Sequence, residues 1–166
     1  CRSVARLVQG AIFCQFVHNL AANSLERHFH ARAVGVDRGD PKGGNVENLA
    51  AGEPKEPEAW STVTMPLVWG KDDSRREFDG IEWYRRNVEI PTEWEGKDCL
   101  VELGTIDDAD VVFVNGRAIA NTIGDIGTGR KYRVPAAIMK KGSCTIAVEM
   151  LDLHGEGGFG SGPEAM

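Results

Sequence analysis

The sequence predicts an all-β sandwich with a helical or irregular N-terminal extension, and three observations carry that prediction. From Trp60 onward, short segments rich in Val, Ile, Tyr and Trp alternate with turn signals about every ten residues, the rhythm of a sandwich or barrel. Two of those segments flank Asn115-Gly116, and Asn-Gly between apolar runs is a strong hairpin signal because both residues tolerate the positive φ of a type I′ turn. Before Trp60 the pattern differs. Val4, Leu7, Val8, Ala11, Ile12, Phe16, Leu20 and Ala21 recur at spacings of three and four, which predicts an amphipathic helix ending near Ser24.

In chain order, the helix is followed by Leu25 to Val36, carrying His28 and His30, and then by the breaker cluster Gly39-Asp40-Pro41-Lys42-Gly43-Gly44. Residues 37–59 are rich in Gly, Pro, Glu and Asn and read as a linker. The chain thus divides into an N-terminal segment, 1–36, a linker, 37–59, and a β domain, 60–166. Expected strands are Trp60 to Met65, Gly80 to Ile90, Asp98 to Leu103, Ala109 to Val114, Arg117 to Asn121, Lys131 to Val134 and Cys144 to Leu153. Pro91-Thr92-Glu93-Trp94 is a turn after the second of these.

The chain has 166 residues, 42% of them hydrophobic, enough for one packed core plus an appendage. Its net charge of −6 argues against a nucleic-acid or anionic-membrane partner, which select a basic face. Residues 1–59 carry seven basic and seven acidic groups, so the whole acidic excess lies in the β domain. Cys1, Cys14, Cys99 and Cys144 are too few and scattered for a disulfide scaffold, and no close CxxC pair exists for zinc. Cys99 and Cys144 could bridge if their strands are neighbours. The start at Cys1 and the stop after a Gly-rich run suggest a piece of a longer protein. Residues 2–24 imitate a signal peptide poorly, because Gln9, Gln15, His18 and Asn19 interrupt the apolar stretch, and they are too polar and short to span a membrane.

Each motif has a bland and a chemical reading. Gly155-Glu156-Gly157-Gly158-Phe159-Gly160 matches GxGxxG, but Ser161-Gly162-Pro163 follows where a Rossmann helix should open, so a loop is expected and no dinucleotide cofactor. Asp107, Asp108 and Asp110 crowd one strand junction. Such acids commonly cap a turn, and can also hold calcium or meet sugar hydroxyls. Trp60, Trp69, Trp83, Tyr84 and Trp94 include faces that could stack on sugars, although alternation sends Trp83 and Tyr84 to opposite faces, so one of them must be core. His28 and His30 would share a strand face, without a third ligand nearby to suggest metal. His154, near the Gly-rich loop, could line a pocket, although a lone exposed histidine is the commoner case. There is no GxSxG elbow, and Ser161 lacks its strand–turn–helix setting, so no catalytic residue is assigned.

An ordered series of segments has a family likeness: Phe78-Asp79-Gly80-Ile81-Glu82-Trp83-Tyr84-Arg85-Arg86, Ile90-Pro91 to Asp98, Leu103-Gly104-Thr105-Ile106-Asp107-Asp108-Ala109-Asp110, and Val114-Asn115-Gly116. Arg130 to Ala136, Lys141-Gly142, Ile146-Ala147-Val148, Asp152, Gly157-Gly158-Phe159 and Gly162-Pro163-Glu164 continue it. The series resembles the galactose-binding-like jelly-roll domain inserted in sialate O-acetylesterases, and more distantly the sugar-binding domain of family 2 glycoside hydrolases such as β-galactosidases and β-glucuronidases. The Asp pair and the terminal Gly-Gly-Phe and Gly-Pro-Glu favour the esterase. Ser143-Cys144-Thr145, where a Gly-Asn-like turn is usual, and Glu149, where a basic residue is common, depart from the pattern.

The resemblance implies a jelly-roll fold over roughly residues 60–166 and a parent enzyme that removes O-acetyl groups from sialic acids through a serine nucleophile. Residues 1–59 lack the family's Gly-Gln-Ser-Asn type block. The expected partner is therefore an SGNH-type catalytic domain of the same polypeptide, with a glycan as the second possible partner. An extracellular or periplasmic setting is implied, with no cofactor and no metal. The residues a sugar would meet are Trp83, Arg85, Asp107, Asp108, Arg130 and His154.

Overall fold

The structure is a computed structural model, and it describes residues 5–8, 11–15, 28–34, 60–64, 67–69, 80–153 and 155–160. The strands are β1 Ala5–Val8, β2 Ala11–Gln15, β3 His28–Val34, β4 Ser61–Thr64, β5 Leu67–Val68, β6 Gly80–Ile90, β7 Cys99–Gly104, β8 Ile106–Asp107, β9 Ala109–Val114, β10 Arg117–Ile123, β11 Arg130–Val134, β12 Gly142–Asp152 and β13 Gly158–Phe159. They form a six-stranded sheet in the order β10-β9-β12-β6-β3-β4, a four-stranded sheet β1-β2-β7-β11 and a small sheet β5-β13-β8. Pairing is antiparallel except between β2 and β7. The all-β sandwich expected from the sequence is what forms.

β12 sets the geometry. One edge pairs with β6 along its whole length, from Gly142↔Ile90 to Asp152↔Gly80, and the other pairs with β9 from Ile146↔Val114 to Leu151↔Ala109. Because successive side chains point to opposite faces, that double register aligns Cys144, Ile146, Val148 and Met150 with Tyr84 and Ile90 of β6 and Val112 and Val114 of β9. Together with Cys99, Val101 and Leu103 of β7 and Val134 of β11 they make the core between the sheets. The alternate residues build a second cluster on the other face, where Trp83, Phe113 and Ala147 are buried with Trp60, Ile81 and Val111 against them. Trp83 and Tyr84 are therefore both buried, on opposite faces, which is more than alternation required.

The Asn115-Gly116 hairpin joins β9 to β10 with φ of 49° and 78° at its two residues. Asn115 also braces β12: its N–H donates to the Thr145 carbonyl at 2.8 Å, and its side-chain oxygen accepts from the Thr145 N–H at 2.9 Å. Thr92–Trp94 form one 3₁₀ turn, as the Pro91 to Trp94 signal suggested. The Gly-rich run folds into β13 and pairs with β5 and β8, so no helix follows it among the described residues.

Two expectations fail. Within the span expected to be helical, the described residues 5–8 and 11–15 form β1 and β2, which pair antiparallel with Val8 opposite Ala11. Spacings of three and four within an apolar-rich stretch also fit two short strands, and a glycine at position 10 disfavours a helix interior. Strands before and after Trp60 pair with one another, β3 with β6 and β2 with β7. The Cys99–Cys144 bridge does not form: β7 and β12 lie in different sheets, and both side chains are buried there. The linker 37–59, His154 and Ser161 lie outside the described residues, as do the side chains of His28 and His30. No helix among the described residues is long and apolar enough to cross a membrane.

Gly157 is fixed by the core rather than by loop flexibility. A Cβ there would lie 2.4 Å from Asp152 Oδ2 and 2.6 Å from Trp69 Cε3, and the Gly157 carbonyl accepts from the Trp69 N–H at 2.9 Å. Since both neighbours are fully buried, neither can step aside. Gly157→Ala is expected to lower the stability in urea by about 1–3 kcal/mol, whereas Gly127→Ala, which meets nothing within 4 Å, should change it by less than ~0.5 kcal/mol. Equal midpoints for the two variants would contradict this packing.

Candidate functional site

The three acids at the β8–β9 junction have three different surroundings. Asp110, on the inner face of β9, has a fully buried side chain. Its Oδ1 accepts from Arg130 Nε at 2.6 Å and its Oδ2 from the Tyr132 hydroxyl at 2.7 Å. Arg130 is itself buried and donates further to the carbonyls of Thr128 and Ile106, each at 2.6 Å, and of Asp125. Every guanidinium nitrogen is thus bonded to the chain. Tyr132 also shares a 2.7 Å hydrogen bond with Thr122, and burial, followed by the Asp110 carboxylate, pushes its hydroxyl up to about 12.

Asp108 ties strand ends together. Its Oδ2 accepts from the Leu153 N–H at 2.9 Å, its N–H donates to the Leu151 carbonyl at 3.2 Å, and its carbonyl accepts from the Gly124 N–H at 3.1 Å. Asp107 sits beside it, partly exposed, in a carboxylate-rich corner. Its carboxyl is raised to about 6, first by burial, then by a hydrogen bond and charge repulsion from Asp108 and by the charge of Asp152, with Arg130 opposing. Such a group can both donate and accept a hydrogen bond near pH 6. Asp125, in the β10–β11 loop, goes the other way. Hydrogen bonds to Thr128 and Gly127 hold its carboxyl below the usual range, with Oδ1 accepting from the Thr128 and Gly127 N–H groups at 3.0 and 3.2 Å.

The structure brings Asp107, Asp108 and Arg130 to one end of the sandwich and leaves Trp83 and Arg85 on the opposite face of the six-stranded sheet. Both of the latter are only 2% exposed. Trp83 packs on Phe113 with ring centroids 5.3 Å apart, and the Arg85 guanidinium lies 5.4 Å from the Trp60 ring centroid. Among the described candidates, Trp83, Arg85 and Arg130 are buried, and Asp107 and Asp108 are partly exposed. The central strands of this sheet bury residues on both faces around Trp83 and Tyr84, so alternation there does not lead to solvent. Among the described residues, no three His, Cys, Asp or Glu side chains are grouped to hold a metal ion.

Sequence reasoning missed a buried polar chain. Trp69 Nε1 donates to the Tyr84 hydroxyl at 3.0 Å, which donates to Glu82 Oε2 at 2.7 Å, while the Phe159 ring meets Tyr84 edge-on at 5.0 Å. The available signal was parity: Glu82, Asp110 and Asp152 stand at inward positions among apolar residues, where a polar group is buried only with a partner. Around the same end, Val68, Ile123, Ile126 and Leu153 are exposed, Ile123 by 80%. Val68 is linked to Asp107 through Gly158 of β13.

No protein-family model matches the sequence, and no curated protein matches it. Solved structures do. A β-glucuronidase from Ruminococcus gnavus in complex with D-glucuronic acid superposes with a TM-score of 0.58 over 75% of this chain, at 20% identity. Two further structures of Ruminococcus gnavus β-glucuronidase give 0.58 at 19% identity and 0.59 at 20%, again over 75% of the chain. The fold resembles part of a β-glucuronidase. The chain spans about 21% or 20% of those β-glucuronidase chains, and at this identity the likeness to the glucuronidase is one of fold.

The Asp107 carboxyl is expected to titrate with a midpoint near 6 by NMR and to fall toward the ordinary value in Asp108→Asn. Because its folded pKa is raised, its contribution to stability is fully present below the unfolded value of 3.8 and is lost as pH rises through about 6. Relative to Asp107→Asn, the unsubstituted chain should therefore lose stability over that window. A gain instead would show that Asp107 is held by a cation.

Proposed function

We propose that this chain contributes the non-catalytic β-sandwich of a carbohydrate-active hydrolase and that a neighbouring domain of the same polypeptide performs the chemistry. The observation that carries the reading is the fold likeness to a fifth of the Ruminococcus gnavus β-glucuronidase. It favours a glycosidase parent, the class toward which the more distant sequence likeness also runs. The chemistry of the described residues is compatible with that reading: Asp108, Asp110 and Asp125 are engaged in strand and loop contacts. The apolar residues Val68, Ile123, Ile126 and Leu153 around the Asp107–Asp108 pair are where a neighbouring domain would pack.

A second reading, the inserted sandwich of a sialate O-acetylesterase, rests on the Asp pair and the Gly-Gly-Phe segment that favour it in sequence. Asp107, Asp108, Asp152 and Gly157-Gly158-Phe159 converge on one corner: Gly158 pairs with Asp107, Gly157 closes on Asp152 and Asp152 lies in the field of Asp107. Those residues are used together, whichever parent carries them.

The coding sequence flanking this chain separates the two. A barrel domain with paired glutamates is expected for a glycosidase, while an Asp-x-x-His segment near the C-terminus would make the esterase the parent. The chain alone should hydrolyse neither 4-nitrophenyl β-D-glucuronide nor 4-nitrophenyl acetate. NMR titration with glucuronides and sialylated glycans to millimolar concentration should leave the Asp107 and Asp108 amides unmoved. Saturable shifts there would replace the accessory role with a lectin-like one.

A further inference from the structure

β10, Arg117–Ile123, is the outermost strand on one side of the six-stranded sheet and pairs with β9 alone. In an antiparallel ladder, alternate N–H and C=O groups of an outermost strand point away from its neighbour and stay open to a further strand. Gly124, just past the strand, gives its N–H to the Asp108 carbonyl, and among the described residues no other backbone bond outside the β9 ladder is made along residues 117–124. Natural sheets blunt such edges with charges, prolines and bulges. Here the bulge between Ala118 and Ala120 disturbs the first half. Ala120 to Ile123 keeps an unbroken register with Val112 to Ala109, holds no charge and no proline, and ends on Ile123, 80% exposed.

The charges that flank this edge have opposite signs. Arg117, at its start, is exposed and forms no ion pair among the described residues. Asp125, two residues past its end, is exposed as well, and hydrogen bonds with Thr128 and Gly127 keep its carboxyl below the usual range and so ionised at neutral pH. A two-fold axis through the middle of the edge lays a second β10 antiparallel to the first and brings the start of each strand beside the end of the other, so Arg117 of one copy meets Asp125 of the other twice. A strand of unlike sequence would satisfy the backbone groups without matching both ends. We propose that β10 is a self-association edge, at which a second copy of this chain adds its own β10 antiparallel and joins the two six-stranded sheets into one. Val68 and Leu153 lie outside this edge, and the pairing does not rest on the assignment of a parent enzyme. Because a pairing of a few residues buries less than a standard interface of about 1,600 Å², the association is weak and is read at high concentration.

The test is sedimentation of the whole chain from micromolar to millimolar concentration, with amide NMR spectra over the same series. Salt of about 0.15 M, where the Debye length is about 8 Å, screens the net charge of −6 on each chain. The weight-average mass should rise from one chain toward two and no further, with concentration-dependent shifts and slowed amide exchange concentrated in residues 117–125. Arg117→Glu and Asp125→Arg should each weaken the association roughly tenfold, since two like-charge contacts replace two attractive ones. Mixing the two variants in equal amounts should restore it, because one edge then carries two acids and the other two bases. Lost turn bonds at Asp125 would not be repaired by mixing. A mass that stays at one chain to millimolar concentration, growth beyond two chains, or shifts that map to Val68 and Leu153 instead would overturn the proposal. So would single variants that associate as the unsubstituted chain does, or a mixture no tighter than either variant alone.

Discussion

Arg130 and Asp110 form a fully buried ion pair between the two main sheets. Arg130 belongs to β11 in the four-stranded sheet and Asp110 to β9 in the six-stranded one, and the 2.6 Å bond between them crosses the core at one end. A buried ion pair stabilises little in itself, because desolvation offsets most of the Coulomb gain. What it does is specify. With both charges buried, each must face the other, and the guanidinium then has its remaining nitrogens in place for the Ile106, Thr128 and Asp125 carbonyls. The β8–β9 junction and the β10–β11 loop take their positions from one side chain.

From that anchor follow the contrasting fates of the neighbouring acids. Asp110 is held by a cation and a phenol, Asp108 is spent on strand ends, and Asp107 is left in a corner where burial and two like charges favour its protonated form. Identical side chains thus become a structural anion, a cap and a group that titrates near neutrality. This is an environment-made difference of the kind found in active sites, yet among the described residues nothing reactive stands beside it, so a perturbed carboxyl here marks a crowded junction and does not by itself mark catalysis.

Much of the fold was legible because it rests on period two. β6 and β9 run over Gly80–Ile90 and Ala109–Val114, the bounds read from alternation, and Asn115-Gly116 turns where its φ tolerance says it should. The N-terminal strands were not legible. Val4 to Ala21 fits helical spacing, and what makes strands of Ala5–Val8 and Ala11–Gln15 is pairing with one another and with β7, more than eighty residues away, an effect that no local pattern encodes. The site was half legible. Asp107, Asp108 and Arg130 do converge, but Trp83 and Arg85 were chosen for chemistry at outer-face positions where Trp83 is buried beside Phe113 and Ala147 and Arg85 lies against Trp60. Sequence shows that side chains alternate; whether the outward set meets solvent depends on what covers the sheet.

The account rests on the claim that Arg130 and Asp110 act as one unit across the sandwich, and a double-mutant cycle tests it most directly. Arg130→Met and Asp110→Leu each strand one buried charge and should cost about 3–5 kcal/mol. The double variant should cost clearly less than the sum, giving a coupling energy of at least ~2 kcal/mol in urea unfolding. Costs that add to within ~0.5 kcal/mol would show that the two residues stabilise the sheets independently, and the ordering of the β8–β9 junction would then need another cause.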